Sequence, residues 1–216
     1  IDSALMKFVH EKQLDNIIVA GHLTISTYLA MRFSIDHPEV LAGTIIFAGQ
    51  PYSSWPSRKD PTGKTPVSLE ERAGSIDYYM APRFYKTLTR DQWNKGMYQA
   101  EHYSEEVRVG QALFKSTTMV PIPLMLQLLC EYYTTDISLE FNQIKKPILI
   151  VKPGFDAKYL AQNPSHNQLF NEYWKTADTL PNYSVKTIPN ARLAMGHTDV
   201  KELSKQISLF VRQNLR

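Results

Sequence analysis

Apolar residues gather in four short runs in this chain: Ile17–Gly21 (IIVAG), Thr44–Gly49 (TIIFAG), Ile148–Val151 (ILIV) and Val185–Pro189 (VKTIP). Each is bounded by polar or turn residues. A continuous run, rather than an alternating one, marks a strand buried on both faces, as in a parallel sheet. The fourth is the weakest, because Lys186 and Thr187 interrupt it. Between the first two runs the pattern changes to helical spacing, from Thr24 to about Asp36, with Ile25, Tyr28 or Leu29, and Phe33 on a shared face. His37-Pro38 stops it, since a residue before proline is pushed out of the helical region. Strand, helix and strand in so short a span predict a right-handed βαβ unit. A helix over about Ser3–Lys12 precedes the first strand, and another near Asn167–Ala177 separates the third and fourth. The chain ends in an amphipathic helix with Val200, Leu203, Ile207 and Phe210 on one stripe, and Asp199 with Glu202 resembles a capping box at its start.

The stretch from Gln50 to Asn142 differs. It opens with PYSSWPSRKDPTGKTP and continues as predicted helices rich in Tyr, Trp, Phe and Met, with no parallel-strand run. An insertion of this kind between two sheet strands predicts a helical cap over the sheet's C-terminal edge, where open α/β sheets place their sites. The expected organisation is a core sheet segment over 1–49, a helical cap over 50–142, and a second core segment over 143–216. The fold class is α/β, with a doubly wound, mostly parallel sheet.

Composition narrows the function classes. A 216-residue chain is long enough for one sizeable core. The net charge of +3 is spread out, with no basic cluster longer than Arg58-Lys59 or Lys145-Lys146, so no nucleic-acid partner is expected. The lone Cys130 closes an apolar run and reads as a buried, inert thiol. Six dispersed histidines without a His-x-x-x-His pair argue against a zinc site. No cofactor is implied, and no apolar run reaches transmembrane length. The first residues, Ile1-Asp2-Ser3, are neither a signal peptide nor an initiator methionine, and they read as an interior point of a longer chain.

Three features fall at the exits of successive predicted strands: the strand–turn–helix of Gly21–Ser26, then Gly154-Phe155-Asp156, then Gly196-His197. Nucleophile, acid and histidine in that order is the chain order of the α/β-hydrolase triad. The chain resembles the C-terminal two-thirds of a capped α/β-hydrolase. "GH……YLAMRFSIDHPEVLAGTIIFAG" is similar to the nucleophile elbow, its helix and the next strand. "KKPILIVKPGFD" resembles the strand and turn that deliver the acid, and "MGHTD" the histidine loop. The family's Gly-x-Ser-x-Gly, however, is here Gly21-His22-Leu23-Thr24-Ile25.

Two frames compete at this turn. With Leu23 at the apex, Gly21 keeps the earlier small position, Ile25 fills the later one, and no nucleophile remains. With Thr24 at the apex, Ser26 takes the later small position and a hydroxyl is present, at the expense of His22 where glycine is usual. The following helix fits the Thr24 frame better, because Ala30 then falls where the family's small helix residue lies. Thr24 has two open readings: a nucleophile, hindered by its β-methyl, or a helix cap. The resemblance implies that Asp156 orients His197 and that His197 serves as general base and then acid. An Asx-type turn for Asp156 and a surface position for His197 are the plainer alternatives. Asp136 and Asp178 are weaker acid candidates, and His22 reads as a half-buried packing residue. The loop from Ile188 to His197 is longer than usual for the family, so Asn190-Ala191-Arg192 are expected to displace the histidine.

The resemblance implies an enzyme hydrolysing an ester, lactone, amide or similar small apolar substrate, with Thr24, Asp156 and His197 as catalytic residues. The alternatives are a catalytically inactive pseudo-hydrolase that uses the cap pocket to bind a ligand or partner, and an acyltransferase. The first predicted strand would be an apolar sheet edge, a hazard for aggregation. A preceding segment or a second chain is therefore expected to complete the sheet.

Overall fold

The computed structural model describes residues 2–52 and 134–214, with isolated helical positions at 108, 124, 127, 128, 131 and 132. Among the described residues the sheet has four parallel strands in sequential order: β1 (Ile17–His22), β2 (Leu41–Phe47), β3 (Ile148–Phe155) and β4 (Tyr183–Asn190). Helix α1 (Asp2–Glu11) precedes β1, and α2 (Leu23–Asp36) connects it to β2. Between β3 and β4 lie α3 (Ala157–Gln162) and α4 (His166–Trp174). After β4 come the one-turn α5 (Met195–Thr198) and the long α6 (Val200–Asn214).

All four predicted strands exist, with shifted ends. β2 begins at Leu41, earlier than predicted, because Leu41, Ala42 and Gly43 are buried with the rest of the strand. Gly43 is needed there: a Cβ at this position would lie 2.9 Å from both the Phe210 ring and the Pro147 carbonyl. β3 runs on through Pro153 and Gly154, whose backbones still pair with Ile188 and Pro189.

The two sides of the sheet follow the period of two along each strand. Ile46, Ile148 and Ile150 face one layer, with Met31 of α2 and Phe170, Tyr173 and Trp174 of α4. Ile45, Leu149, Val151 and Ile188 face the other, closed by Met195 of α5 and Leu203 and Phe210 of α6. Helices cover both faces, so the sheet is doubly wound. At the start of α6 the capping box is replaced by other bonds. Asp199 accepts from the Thr198 hydroxyl at 2.6 Å, and Glu202 accepts from Gln206 at 2.8 Å.

β1 is an edge strand: among the described residues only β2 pairs with it. Beside it a groove of about 400 Å³ opens between α1, α2 and β1, lined by Leu5, Phe8, Val19, Ala20, Leu29 and Phe33 among others. The proposed cap lies mostly outside the described residues, as does Cys130. Its last described helical position but one, Tyr132, is buried and donates its hydroxyl to the Tyr52 carbonyl at 3.0 Å, next to the exit of β2. Ile137 and Phe141, on a 3-10 turn over Ile137–Gln143, already belong to the main core. Asp136 caps that turn by accepting from the Ser138 amide at 3.0 Å.

Candidate functional site

The turn from β1 into α2 decides the frame. Leu23 has φ 66°, in the left-handed region that a leucine rarely adopts, and α2 starts on it. The apex is therefore Leu23. The Thr24 frame favoured by the helix register is corrected: Thr24 is the second residue of α2, one place past the apex. The cap reading of Thr24 is corrected too, since His22 is the N-cap residue and no side chain caps this end.

The packing around the turn explains why it holds this shape. A Cβ at Gly21 would lie 2.6 Å from the Ser26 carbonyl oxygen, so strand and helix touch backbone to backbone there. The buried Thr27 donates its hydroxyl to the Leu23 carbonyl. Gly49, just past β2, leaves room for that same threonine, because a Cβ there would collide with its hydroxyl.

His22 is held from two sides. Its Nε2–H donates to the Leu193 carbonyl at 2.8 Å, and its ring stacks on Phe47 with centroids 4.6 Å apart. Burial lowers its pKa, the Leu193 bond opposes that effect, and a nearby His197 charge adds to it. The ring is thus a neutral tie between the elbow and the loop that carries His197.

His197 lies on α5, as expected after β4, and is exposed. Its backbone N–H donates to the Ala194 carbonyl at 2.7 Å. Among the described residues no side chain hydrogen-bonds its ring.

Asp156 is occupied elsewhere. One oxygen accepts from the Tyr159 amide at 2.9 Å, which caps α3. Arg192 takes both oxygens, with Nε to Oδ2 at 2.5 Å and Nη2 to Oδ1 at 2.9 Å. This pairing holds the Asp156 carboxyl down to about pH 2, with the Arg192 bonds as the main cause, opposed by burial and helped by the Tyr159 amide. The structure thus brings Asp156 to Arg192 and to the α3 N-terminus. No hydrogen bond joins Thr24, Asp156 and His197 in any pair among the described residues. Asp178, the remaining acid candidate, sits on a 3-10 turn over Ala177–Thr179.

Arg192 was the residue missed. Sequence shows only an arginine in a long loop. What places it is the β3–β4 register, which sets Phe155 opposite Asn190 and so brings the two strand exits together. Among the described residues no group of three or more His, Cys, Asp or Glu side chains is placed to hold a metal ion. Nor is any described helix long and apolar enough to cross a membrane.

No family model and no curated protein matches the sequence. Solved structures do match. MenH from S. aureus superposes with a TM-score of 0.62 at 16% identity, covering 100% of this chain and 75% of its own. A bromoperoxidase from Bacillus anthracis gives 0.60 at 16%, covering 98% and 72%. The chain has the α/β-hydrolase fold. A thermophilic esterase from Thermogutta terrifontis gives 0.59 at 17%, covering 94% of this chain and 67% of its own. At these identities the likeness establishes the fold alone.

Proposed function

We propose that this protein is a ligand-binding member of the α/β-hydrolase fold that does not run nucleophile–histidine–acid hydrolysis at its elbow. One observation carries the reading: the apex residue, at φ 66°, is Leu23. The apex side chain is the one presented to a bound substrate, and leucine has neither a lone pair nor a proton to give. The bidentate Arg192 pair on Asp156 supports the same reading, because a carboxylate so engaged is not orienting an imidazole. The ligand class is a small apolar molecule, argued from the aromatic-rich composition of 50–142.

A second reading retains some support. Thr24 offers a hydroxyl next to the apex, and His197 follows β4, so hydrolysis of an ester, lactone or amide through Thr24 stays in view, as does acyl transfer. A fluorophosphonate probe separates the readings. The protein is treated with the probe and digested, and adducts are located by mass spectrometry. No adduct at Thr24 or Ser26 is expected. An adduct at Thr24 that is lost in His197→Ala would overturn the non-hydrolytic reading. A strand added along β1, from a preceding segment or a second chain, belongs to the same proposal and is supported by the apolar groove beside that edge.

A further inference from the structure

We propose that Arg192 is a positioning residue that sequesters Asp156, so that the site is disabled twice and a serine restored at the apex would not by itself restore a working triad. The inference rests on the non-hydrolytic reading above and adds a second, independent lesion to it.

Arg192 is built into its place. Asn190 ends β4 with φ 61°, a left-handed turn that asparagine tolerates, and this turn redirects the chain toward the exit of β3. The flanking Ala191 and Ala194 are buried and anchor the loop. The Arg192 side chain is itself only 5% exposed, and its guanidinium lies 5.1 Å from the centre of the Tyr159 ring. The Tyr159 hydroxyl is in turn bonded to His166 Nδ1 at 2.7 Å, and the Tyr159 ring stacks on Phe155. Asp156, Tyr159 and the loop therefore form a cradle fitted to a planar cation.

Competition for the carboxylate follows from chemistry. Arg192 and His197 leave β4 on the same loop, and both are candidates for the carboxylate at the exit of β3. A guanidinium presents two parallel N–H donors and a permanent charge, whereas a neutral imidazole presents one donor. Once the guanidinium is buried in the cradle, Asp156 has a partner that an exposed imidazole does not displace. His197 is then left without an orienting acid, and its tautomer is not fixed.

Labelling rates with a fluorophosphonate test this. In that reaction the serine Oγ–P bond forms, the P–F bond breaks, fluoride leaves, and the serine proton passes to His197. Leu23→Ser alone is expected to label slowly. Leu23→Ser with Arg192→Met is expected to label at least about tenfold faster, and to slow again when His197→Ala is added. A double variant no faster than Leu23→Ser overturns the sequestration. Labelling of the unaltered protein at Thr24 would instead overturn the non-hydrolytic reading, so the two failures are distinct. A second measurement covers the case in which the double variant does not fold. Ring ¹⁵N shifts of His197 should show mixed tautomers in the native protein, the same mixture in Asp156→Asn, and a bias to one tautomer in Arg192→Met. A single tautomer in the native protein that is lost in Asp156→Asn overturns the proposal.

Discussion

Asp156→Asn should destabilise the protein more than Arg192→Met, although both break the same ion pair. The side chains are 20% and 5% exposed respectively, so the arginine is the more deeply desolvated partner. The carboxyl lies at about 2 in the folded protein against an ordinary 3.8. At about 1.4 kcal/mol per pH unit that difference is worth about 2.5 kcal/mol. Asparagine keeps the cap on Tyr159, so the change isolates the charge. That figure already contains the loss of the negative charge opposite the buried guanidinium, so the expected loss is about 2.5 kcal/mol. Arg192→Met leaves a carboxylate that water reaches and that still caps α3, and about 1 kcal/mol is expected. Urea unfolding at pH 7 measures both. The sign of the pH dependence is fixed, because a lowered carboxyl pKa gives stability that is complete above 3.8 and lost as pH falls toward 2. The gap between the native protein and Asp156→Asn should therefore shrink between pH 5 and pH 2.5. Equal losses in the two variants, or a gap that stays constant over that range, would refute the reasoning.

Gly21→Ala should cost about 2–3 kcal/mol in the same assay, since its Cβ would meet the Ser26 carbonyl oxygen at 2.6 Å and a backbone atom cannot rotate away; a loss under about 0.5 kcal/mol would mean that strand and helix do not touch there. His22→Phe should preserve the ring stack on Phe47 and remove a pH dependence. The native protein loses stability as pH falls below the ordinary histidine value of 6.5, because its buried His22 resists protonation while the unfolded chain does not. Stability curves at pH 7 and pH 5.5 should converge on one value in the variant, and an unchanged slope would remove His22 as the cause.

Much of the scaffold was legible in the residues. Uninterrupted runs such as ILIV gave the strands because both sheet faces are covered, and the Val200–Phe210 stripe gave α6 because only one of its sides is. Strand ends were less legible. Gly43 lies outside the predicted run from Thr44, and it is the thin point that lets Phe210 close on the sheet. Helix α3 was not foreseen, since its cap is the same Asp156 that was read as an acid. At the elbow, the residue types favoured the wrong frame. The small residue Ser26 and the helix register both argued for Thr24, while a backbone torsion on an unexpected residue type decided for Leu23. No side-chain pattern reports a positive φ on leucine. The Asp156–Arg192 pair was hidden for another reason: it joins residues brought together only by the β3–β4 register.

The strain at Leu23 bears on how such strain is read. A left-handed leucine costs on the order of 1–2 kcal/mol, and strained residues of this kind often mark catalytic sites. Here the residue that bears the strain has no chemistry to offer. What maintains the turn is packing: the Gly21–Ser26 approach, the Thr27 bond to the Leu23 carbonyl, and the space at Gly49 that accommodates Thr27. Leu23 also packs against the core layer under α6, so part of the strain is offset by burial. The elbow is thus held mainly by its neighbours, with the packing of Leu23 itself adding to them. A strained apex is evidence for the fold, and the side chain it presents is the evidence about chemistry.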